Sequence, residues 1–230
     1  MKVEGNTVGS LFFFFMQANT FIIGTILGDG HVQKTQSQTQ KCRLRIAHSL
    51  TQKMYVDWKY SQVKNLCSSP PKYDEKKQSY QFYTEYSIDF KFYHDLFYEK
   101  TKCSKTDTSS YRKLIRPELK NYLVDPASLA VWYCDDGFKR SDCDACRIAT
   151  HSFHLEEIQI LQRILQSNFE IPSHIVKAGR SKKGNYQWYV LSLSARDGGF
   201  HEFRKLILPY VESNMPSMMY KLELKRPRND

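Results

Sequence analysis

Glycine, proline and tryptophan are scarce in this sequence: its 230 residues include 10 Gly, 8 Pro and 3 Trp. A collagen-like chain, which needs glycine at every third position, is therefore excluded. Long hydrophobic runs are also missing. Polar residues separate the apolar stretches 11–16 and 21–27, so neither approaches the roughly 18 consecutive apolar residues of a membrane-spanning helix. No small-residue cleavage site follows the first stretch, and we expect neither a signal peptide nor a membrane partner.

Cysteines are few and scattered, and only Cys143 and Cys146 have the spacing of a metal-binding pair. A structural zinc site usually needs four ligands, and no second pair follows at a suitable distance. We therefore expect two thiols in a polar turn, reduced as in an intracellular compartment. Lys, Phe and Tyr are abundant, as translation of AT-rich DNA would give, which favours an organelle, either mitochondrion or chloroplast.

Aromatic side chains and positive charge are plentiful. The 15 Tyr and 14 Phe supply a core and exclude a disordered chain. Lys and Arg number 34 against 24 Asp and Glu, a net charge of +10. Such an excess is typical of a protein with a polyanionic partner, nucleic acid or an anionic membrane surface; a merely soluble basic protein is the alternative that charge alone leaves open.

Four landmarks recur in the same order in the two halves of the chain, at a separation of about a hundred residues. They are FIIGTILGDG (21–30) with SLAVWYCDDG (128–137), RIAHS (45–49) with RIATHS (147–152), YQFY (80–83) with YQWY (186–189), and Lys113-Leu114 with Lys221-Leu222. The chain is therefore interpreted as a leader (1–18) followed by two diverged copies of one module (19–120 and 121–230).

Each module has the periodicities of an α+β unit with the order αββαββα. Arg43 and Arg45 alternate with apolar residues, which is typical of a half-buried strand. Leu155, Ile158, Leu161 and Leu165 form the apolar stripe of a helix. Asp125 and Pro126 are suited to begin the second apolar helix, and Gly30 and Gly137 are suited to end the two apolar helices as C′ residues.

Small residues predict that the two apolar helices pack together. Thr20, Gly24 and Gly28 lie four positions apart, and Ala127, Ala130 and Cys134 form a second line. A carboxylate at the end of a helix opposes the helix dipole, yet Asp29 and Asp136 both stand there. Packed helices would also bring the two carboxylates close enough to repel. A divalent cation relieves both problems, whereas the alternative is an Asp-Gly turn without function.

The stretches IIGTILGDG (22–30) and LAVWYCDDG (129–137) resemble the two motifs of the LAGLIDADG homing endonucleases, in the single-chain branch. SPPK (69–72) and PSMMYKL (216–222) are similar to a member of that family. The resemblance implies two pseudo-symmetric modules with the motif helices at their interface and a β-sheet saddle on DNA.

The resemblance also implies a set of catalytic residues. Asp29 and Asp136 would bind a divalent metal, usually Mg²⁺, for hydrolysis of phosphodiester bonds. The basic residues of the site map to Lys113 and Lys221, with Arg112 as an alternative to Lys113. Asp135 is left out of the metal ligands because its counterpart is Gly28.

Arg, Lys and Gln side chains on the strands are candidates for DNA contacts, because a β-ribbon fits the major groove and these side chains reach base edges there. The set comprises Arg43, Arg45, Gln81, Lys139, Arg147 and Gln187, together with a basic hairpin of Lys177, Arg180, Lys182 and Lys183 suited to phosphate contact.

The sequence therefore favours a monomeric, site-specific endonuclease that cuts both strands of a long asymmetric DNA target. Two alternatives stay open at this point: a maturase that binds its intron RNA, and a non-catalytic DNA-binding protein of the same fold. Retention of both Asp29 and Asp136 speaks against the last, because binding alone does not need them.

Overall fold

The computed structural model describes residues 20–35, 38–102, 109–180 and 187–224. The leader and two predicted DNA-binding residues, Lys182 and Lys183, lie outside them. The first half contains α1 (20–27), β1 (His31–Lys34), β2 (Cys42–His48), α2 (Lys53–Val63), β3 (Lys72–Asp74), β4 (Ser79–Tyr83), α3 (Phe90–Phe97), β5 (Tyr98–Lys102) and β6 (Ser109–Lys113). The second half contains α4 (Pro126–Asp136), β7 (Gly137–Lys139), β8 (Ala145–Ala149), α5 (Leu155–Phe169), β9 (His174–Arg180), β10 (Gln187–Ser194) and α6 (Gly199–Asn214). Short 3-10 helices cover Leu50–Gln52, Lys64–Leu66, Pro117–Asn121 and Pro216–Lys221.

Both halves have the same topology, which confirms the predicted α+β repeat. Each contains a four-stranded antiparallel sheet, in the order β1-β2-β4-β3 in the first half and β7-β8-β10-β9 in the second. The first half has one addition that the sequence did not predict, the antiparallel hairpin β5-β6. Both sets of elements contribute to one hydrophobic core.

Strand register shows which residues of the two halves are equivalent. His31 and Phe138, which directly follow the Asp-Gly ends of α1 and α4, pair with Arg45 and Arg147 respectively. Arg45 and Arg147 are therefore equivalent, and so are the residues three positions further on, His48 and Thr150. In β2 the predicted alternation holds, since Cys42, Leu44, Ile46 and His48 are buried while Arg43 and Arg45 lie on the other face.

The helices α1 and α4 pack against each other as predicted, and both are buried along most of their length. A Cβ on Gly24 would lie 2.4 Å from the Ser128 carbonyl oxygen, and a Cβ on Gly28 would lie 2.4 Å from the Asp135 Cβ. The backbones thus approach as closely as glycine allows. The α4 residues that meet the two glycines are Ser128, Val131 and Asp135, so the predicted line of Ala127, Ala130 and Cys134 was wrong by one position.

The ends of α4 follow the sequence in part. Asp125 is the N-cap and its carboxylate accepts a hydrogen bond from the Ala127 amide at 2.8 Å, as predicted. Gly137, however, has φ −80° and ψ 147°, so it is not the left-handed C′ glycine that was expected. Glycine is required there because the chain turns directly into β7, where a Cβ would lie 2.1 Å from the Tyr133 ring.

Two further features bear on function class. Within the described ranges, no helix has the length and apolar character needed to cross a membrane. Cys143 is exposed and Cys146 is buried, both as free thiols, and neither belongs to a group of three or more candidate metal ligands among the residues described.

Candidate active site

The carboxyl ends of α1 and α4 bring three carboxylates together. Asp29 follows α1 and its side chain is half exposed, whereas Asp135 and Asp136 are the last two residues of α4. Burial, followed by the negative charges of Asp135 and Asp29, raises the pKa of Asp136 to about 7. The site therefore holds three carboxylates close together where burial disfavours the charged form of Asp136.

Two lysines offset the negative charge at the carboxyl ends of α1 and α4. Lys113 Nζ donates to the carbonyl oxygens of Ile26, Gly28 and Gly30 at 2.7, 2.8 and 3.1 Å. Lys221 Nζ donates to the carbonyl oxygens of Cys134 and Asp135 at 2.6 and 3.2 Å.

Each motif helix thus has a cation at its C-terminus, which offsets the unfavourable position of the aspartates. All three ammonium hydrogens of Lys113 have acceptors, so this side chain holds the end of α1 in place. Arg112, the alternative to Lys113, is directed elsewhere, since its guanidinium pairs with Glu99 and Glu157.

Asp135 has partners that the sequence did not reveal. Its side chain is fully buried and occupies the space left by Gly28. Lys59 Nζ, also fully buried, lies 2.7 and 2.8 Å from the two carboxylate oxygens, and the Tyr55 hydroxyl donates to one of them at 2.9 Å. The Asp29 amide donates to the same carboxylate at 3.1 Å. Asp135 therefore links both modules at the point where the motif helices end.

His48 connects this buried pair to Asp29. Its Nε2 lies 3.3 Å from Lys59 Nζ, and its Nδ1 lies 2.9 Å from Gln52 Oε1 and 3.5 Å from Asp29 Oδ2. Burial and the Lys59 charge lower the pKa of His48, so the ring is neutral near pH 7. A usable signal was present in the sequence for Lys59 alone, which lies four residues after Tyr55 and four before Val63 on the buried face of α2.

The donors present fit a hard divalent cation. Asp29 and Asp136 offer carboxylate oxygens, the ligands that Mg²⁺ prefers. Asp29, His48 and Asp135 also present ligand atoms within 4.8 Å of one another. Asp135 already has a cation in Lys59, whereas neither Asp29 nor Asp136 forms an ion pair with a lysine or arginine in the described part of the chain.

The raised pKa of Asp136 makes a prediction for the metal-free protein. Between the ordinary pKa of 3.8 and about 7, the folded state holds a proton that the unfolded chain has lost. Unfolding then releases a proton, so the stability from Asp136 is full at low pH and is lost as pH rises through about 7. With EDTA present, the Tm of the wild type minus that of Asp136→Asn should fall by several degrees from about pH 5 to about pH 8. A Tm difference between wild type and Asp136→Asn that does not change with pH would contradict a raised pKa for Asp136.

Arg43 is held on the outer face of the first sheet. Its guanidinium lies between the rings of Tyr83 and Tyr86, 4.4 and 4.6 Å from their centroids, and its Nη2 donates to Gln33 Oε1 at 2.9 Å. Stacking and hydrogen bonding fix the direction of this charge.

The side-chain amide of Gln81 is hydrogen-bonded within the sheet, whereas the equivalent residues Arg45 and Arg147 each have an Nε that is unpaired among the residues that the structure describes. Gln81 is buried, and its amide is engaged by Arg45 at 3.2 Å and by Asp74 at 2.7 Å. Its predicted role in reading bases therefore requires these bonds to be exchanged. Arg45 Nε and Arg147 Nε are both buried without a hydrogen-bond partner in the described part of the chain. Two equivalent strands thus have unused donors at the same position.

The second sheet holds the other predicted contacts. Lys139 and Arg147 are partly exposed and Lys177 is exposed. Gln187 Nε2 donates to the carbonyl oxygens of Gly179 and Trp188. Arg180 ends β9, and its side chain is outside the described part.

Comparison with known proteins gives consistent relatives. A family model described as the LAGLIDADG DNA endonuclease family matches residues 19–198. The cytochrome b mRNA maturase bI2 of Saccharomyces cerevisiae is 28% identical over an alignment of 233 positions, which covers 96% of this chain and 50% of that protein. The intron-encoded endonuclease ai4 of Dictyostelium discoideum is 30% identical over 148 residues, 64% of this chain and 79% of that protein. The chain thus spans half the length of the yeast relative.

Solved structures have the same fold. The homing endonuclease I-WcaI, bound to its DNA recognition sequence, is similar with a TM-score of 0.71 and 22% identity, over 92% of this chain and 88% of that chain. I-DmoI, in complex with its nicked target DNA in the presence of manganese, is similar with a TM-score of 0.55 and 16% identity, over 84% and 96% of the two chains. These likenesses confirm the predicted architecture.

Proposed function

The chain belongs to the LAGLIDADG DNA endonuclease family, and on that premise we propose that it is a site-specific homing endonuclease. It would hydrolyse one phosphodiester bond in each strand of a long, asymmetric double-stranded DNA target. The observation that carries this proposal is the convergence of Asp29 and Asp136, one from each module, at the ends of two buried and tightly packed helices.

Asp29 and Asp136 would hold Mg²⁺, which when bound acidifies the attacking water and stabilises charge on the leaving oxygen. Lys113 and Lys221 keep the two helix ends in place through their carbonyl contacts. Because α1 and α4 cannot move relative to each other without separating Gly24 from Ser128, the two carboxylates stay at a fixed separation. Such preorganisation is worth more than flexible placement, since nothing must be rearranged during the reaction.

DNA would lie across the outer faces of the two sheets, as on a saddle. Arg43, with its fixed guanidinium, and the half-buried Arg45 and Arg147 on the same strand faces support this placement. Lys139, Lys177 and the basic residues of the β9-β10 connection would contact phosphates. Since one chain contains both modules, no second copy is needed, and the protein would act as a monomer on unlike half-sites.

One specific observation favours a second activity. The yeast relative that covers 96% of this chain is a maturase by name, so binding of intron RNA is a candidate function beside DNA cleavage. The composition favours an organelle as the place of either activity.

Cleavage of a plasmid tests the proposal. The substrate is the intronless allele of the gene that surrounds this reading frame, and the matched control is the same plasmid with the intron inserted. We expect linear product from the intronless plasmid with Mg²⁺ and none from the interrupted one. If neither plasmid is cut while intron RNA is bound and its splicing accelerated, the maturase reading replaces this one.

A further inference from the structure

Lys59 has a complete set of acceptors although it is fully buried. Two of its three ammonium hydrogens point to the Asp135 oxygens at 2.7 and 2.8 Å, and the third faces His48 Nε2 at 3.3 Å. An ammonium group can only donate, so His48 Nε2 must be the lone-pair nitrogen of the ring. The ring proton of His48 is therefore on Nδ1.

This proton faces the candidate metal ligand. His48 Nδ1 lies 2.9 Å from Gln52 Oε1 and 3.5 Å from Asp29 Oδ2, so a donor is presented to both. The Asp29 backbone is held by the other partner of Lys59, since the Asp29 amide donates to Asp135 Oδ2 at 3.1 Å. Lys59 does not touch Asp29, but it contacts both Asp135 and His48, which do.

The second half of the repeat cannot form the same chain of contacts. The position equivalent to Asp135 is Gly28, which has no side chain, and the position equivalent to His48 is Thr150. The Thr150 hydroxyl donates to the Tyr189 carbonyl oxygen at 2.9 Å, within its own sheet. The two motif aspartates are thus surrounded by different groups in a protein whose sheets have the same topology.

We propose that Lys59 is a positioning residue, acting through Asp135 and His48 on Asp29, and that cleavage of one DNA strand depends on it more than cleavage of the other. The proposal rests on the proposed endonuclease function. Partners that orient a metal ligand typically change activity by about 10- to 100-fold, and we expect an effect of that size on one strand.

The first test removes both buried charges together. Lys59→Met leaves Asp135 unpaired in the interior, so it is combined with Asp135→Asn to keep the site neutral. With a target labelled on either strand, the ratio of the two cleavage rates should change by about 10- to 100-fold relative to the wild type. Plasmid should accumulate as the nicked circle while DNA affinity is retained. An unchanged ratio, whether both strands slow or neither does, overturns the proposal.

Substitutions of His48 separate its two nitrogens. The Asn amide nitrogen takes the place of Nδ1, so His48→Asn keeps a donor toward Asp29, whereas His48→Gln places its amide toward Lys59. His48→Asn should retain most of the wild-type strand ratio and His48→Gln should lose it. The control in the other half is Thr150→Val. Valine has nearly the size of threonine but lacks the buried hydroxyl, so this variant should lower Tm without changing the ratio of the two cleavage rates. Equal ratios for the two His48 variants would contradict the assignment of Nδ1.

A readout that needs no cleavage keeps the two proposals distinguishable. Nitrogen-15 NMR of the imidazole should show the Nδ1–H form for His48, and the double variant of Lys59 and Asp135 should shift the Nε2 resonance, because the donor 3.3 Å from Nε2 is removed. If the wild type cuts neither strand, the endonuclease function fails while the NMR result still decides the role of Lys59. A wild-type spectrum with the proton on Nε2 would refute that role even in an active enzyme.

Discussion

Asp29→Asn and Asp136→Asn should each abolish double-strand cleavage while DNA affinity stays within about threefold of the wild type. Asn keeps the shape of the side chain but removes the negative charge that a divalent cation needs. The rate of linear product formation should fall by about 10³-fold, the upper range for loss of one preorganised electrostatic group. Plasmid linearisation gives the rate, and fluorescence anisotropy with a labelled target gives the affinity.

A matched aspartate separates this effect from a change in net charge. Asp95 is an exposed residue of α3 that pairs with Lys91 one helical turn away, and Asp95→Asn should cut at the wild-type rate. If either motif variant cuts at the rate of the Asp95 variant, the aspartate replaced in it is not a catalytic residue.

Affinity for target DNA should fall by about 10³- to 10⁵-fold between about 50 and 200 mM salt. This range is expected when roughly 6–10 phosphates are neutralised and their counterions are released. The net charge of +10 is the basis of this expectation, and the proposed contacts are the basic residues on the outer faces of both sheets. Anisotropy titrations over this salt range, plotted as the logarithm of affinity against that of salt concentration, give the slope.

Substitution of two exposed lysines, one on a sheet and one on a helix, tests which surface of the protein contacts the DNA. Lys177 is exposed on β9, and Lys177→Ala should reduce the slope by about 1. Lys205 is exposed on α6, the helix that packs between α4 and β10, and Lys205→Ala should leave the slope unchanged. An equal loss for both variants, or a wild-type affinity that hardly depends on salt, would argue against binding across the sheet faces.

Local patterns were sufficient to predict the architecture. The Asp-Gly motif of each half, the alternation in β2 and the N-cap at Asp125 are short local patterns, and all are present in the structure. The hairpin β5-β6 was missed because its strands, such as YEKTK (98–102), are polar and lack a clear alternation.

The candidate site was predictable only in part, for a physical reason. Asp29 and Asp136 stand out through their repeated position at two helix ends. Lysine is usually found at the surface, and the burial of Lys59 depends on Asp135, which is 76 positions away. The helical spacing places Lys59 on the buried face of α2, but the ion pair with Asp135 leaves no local pattern of its own, so Lys59 and His48 were both missed.

The contact between Gly28 and Asp135 has a consequence for how the two halves can be inherited or exchanged. These residues occupy the same position of the repeat and face each other, and there is room for only one side chain between them. A dimer of two second modules would force two aspartates into that space, and a dimer of two first modules would leave it empty, with Lys59 lacking its carboxylate. The halves are therefore a complementary pair rather than interchangeable parts, and a chimaera that joins halves from different relatives should transfer Gly28, Lys59 and Asp135 as one unit.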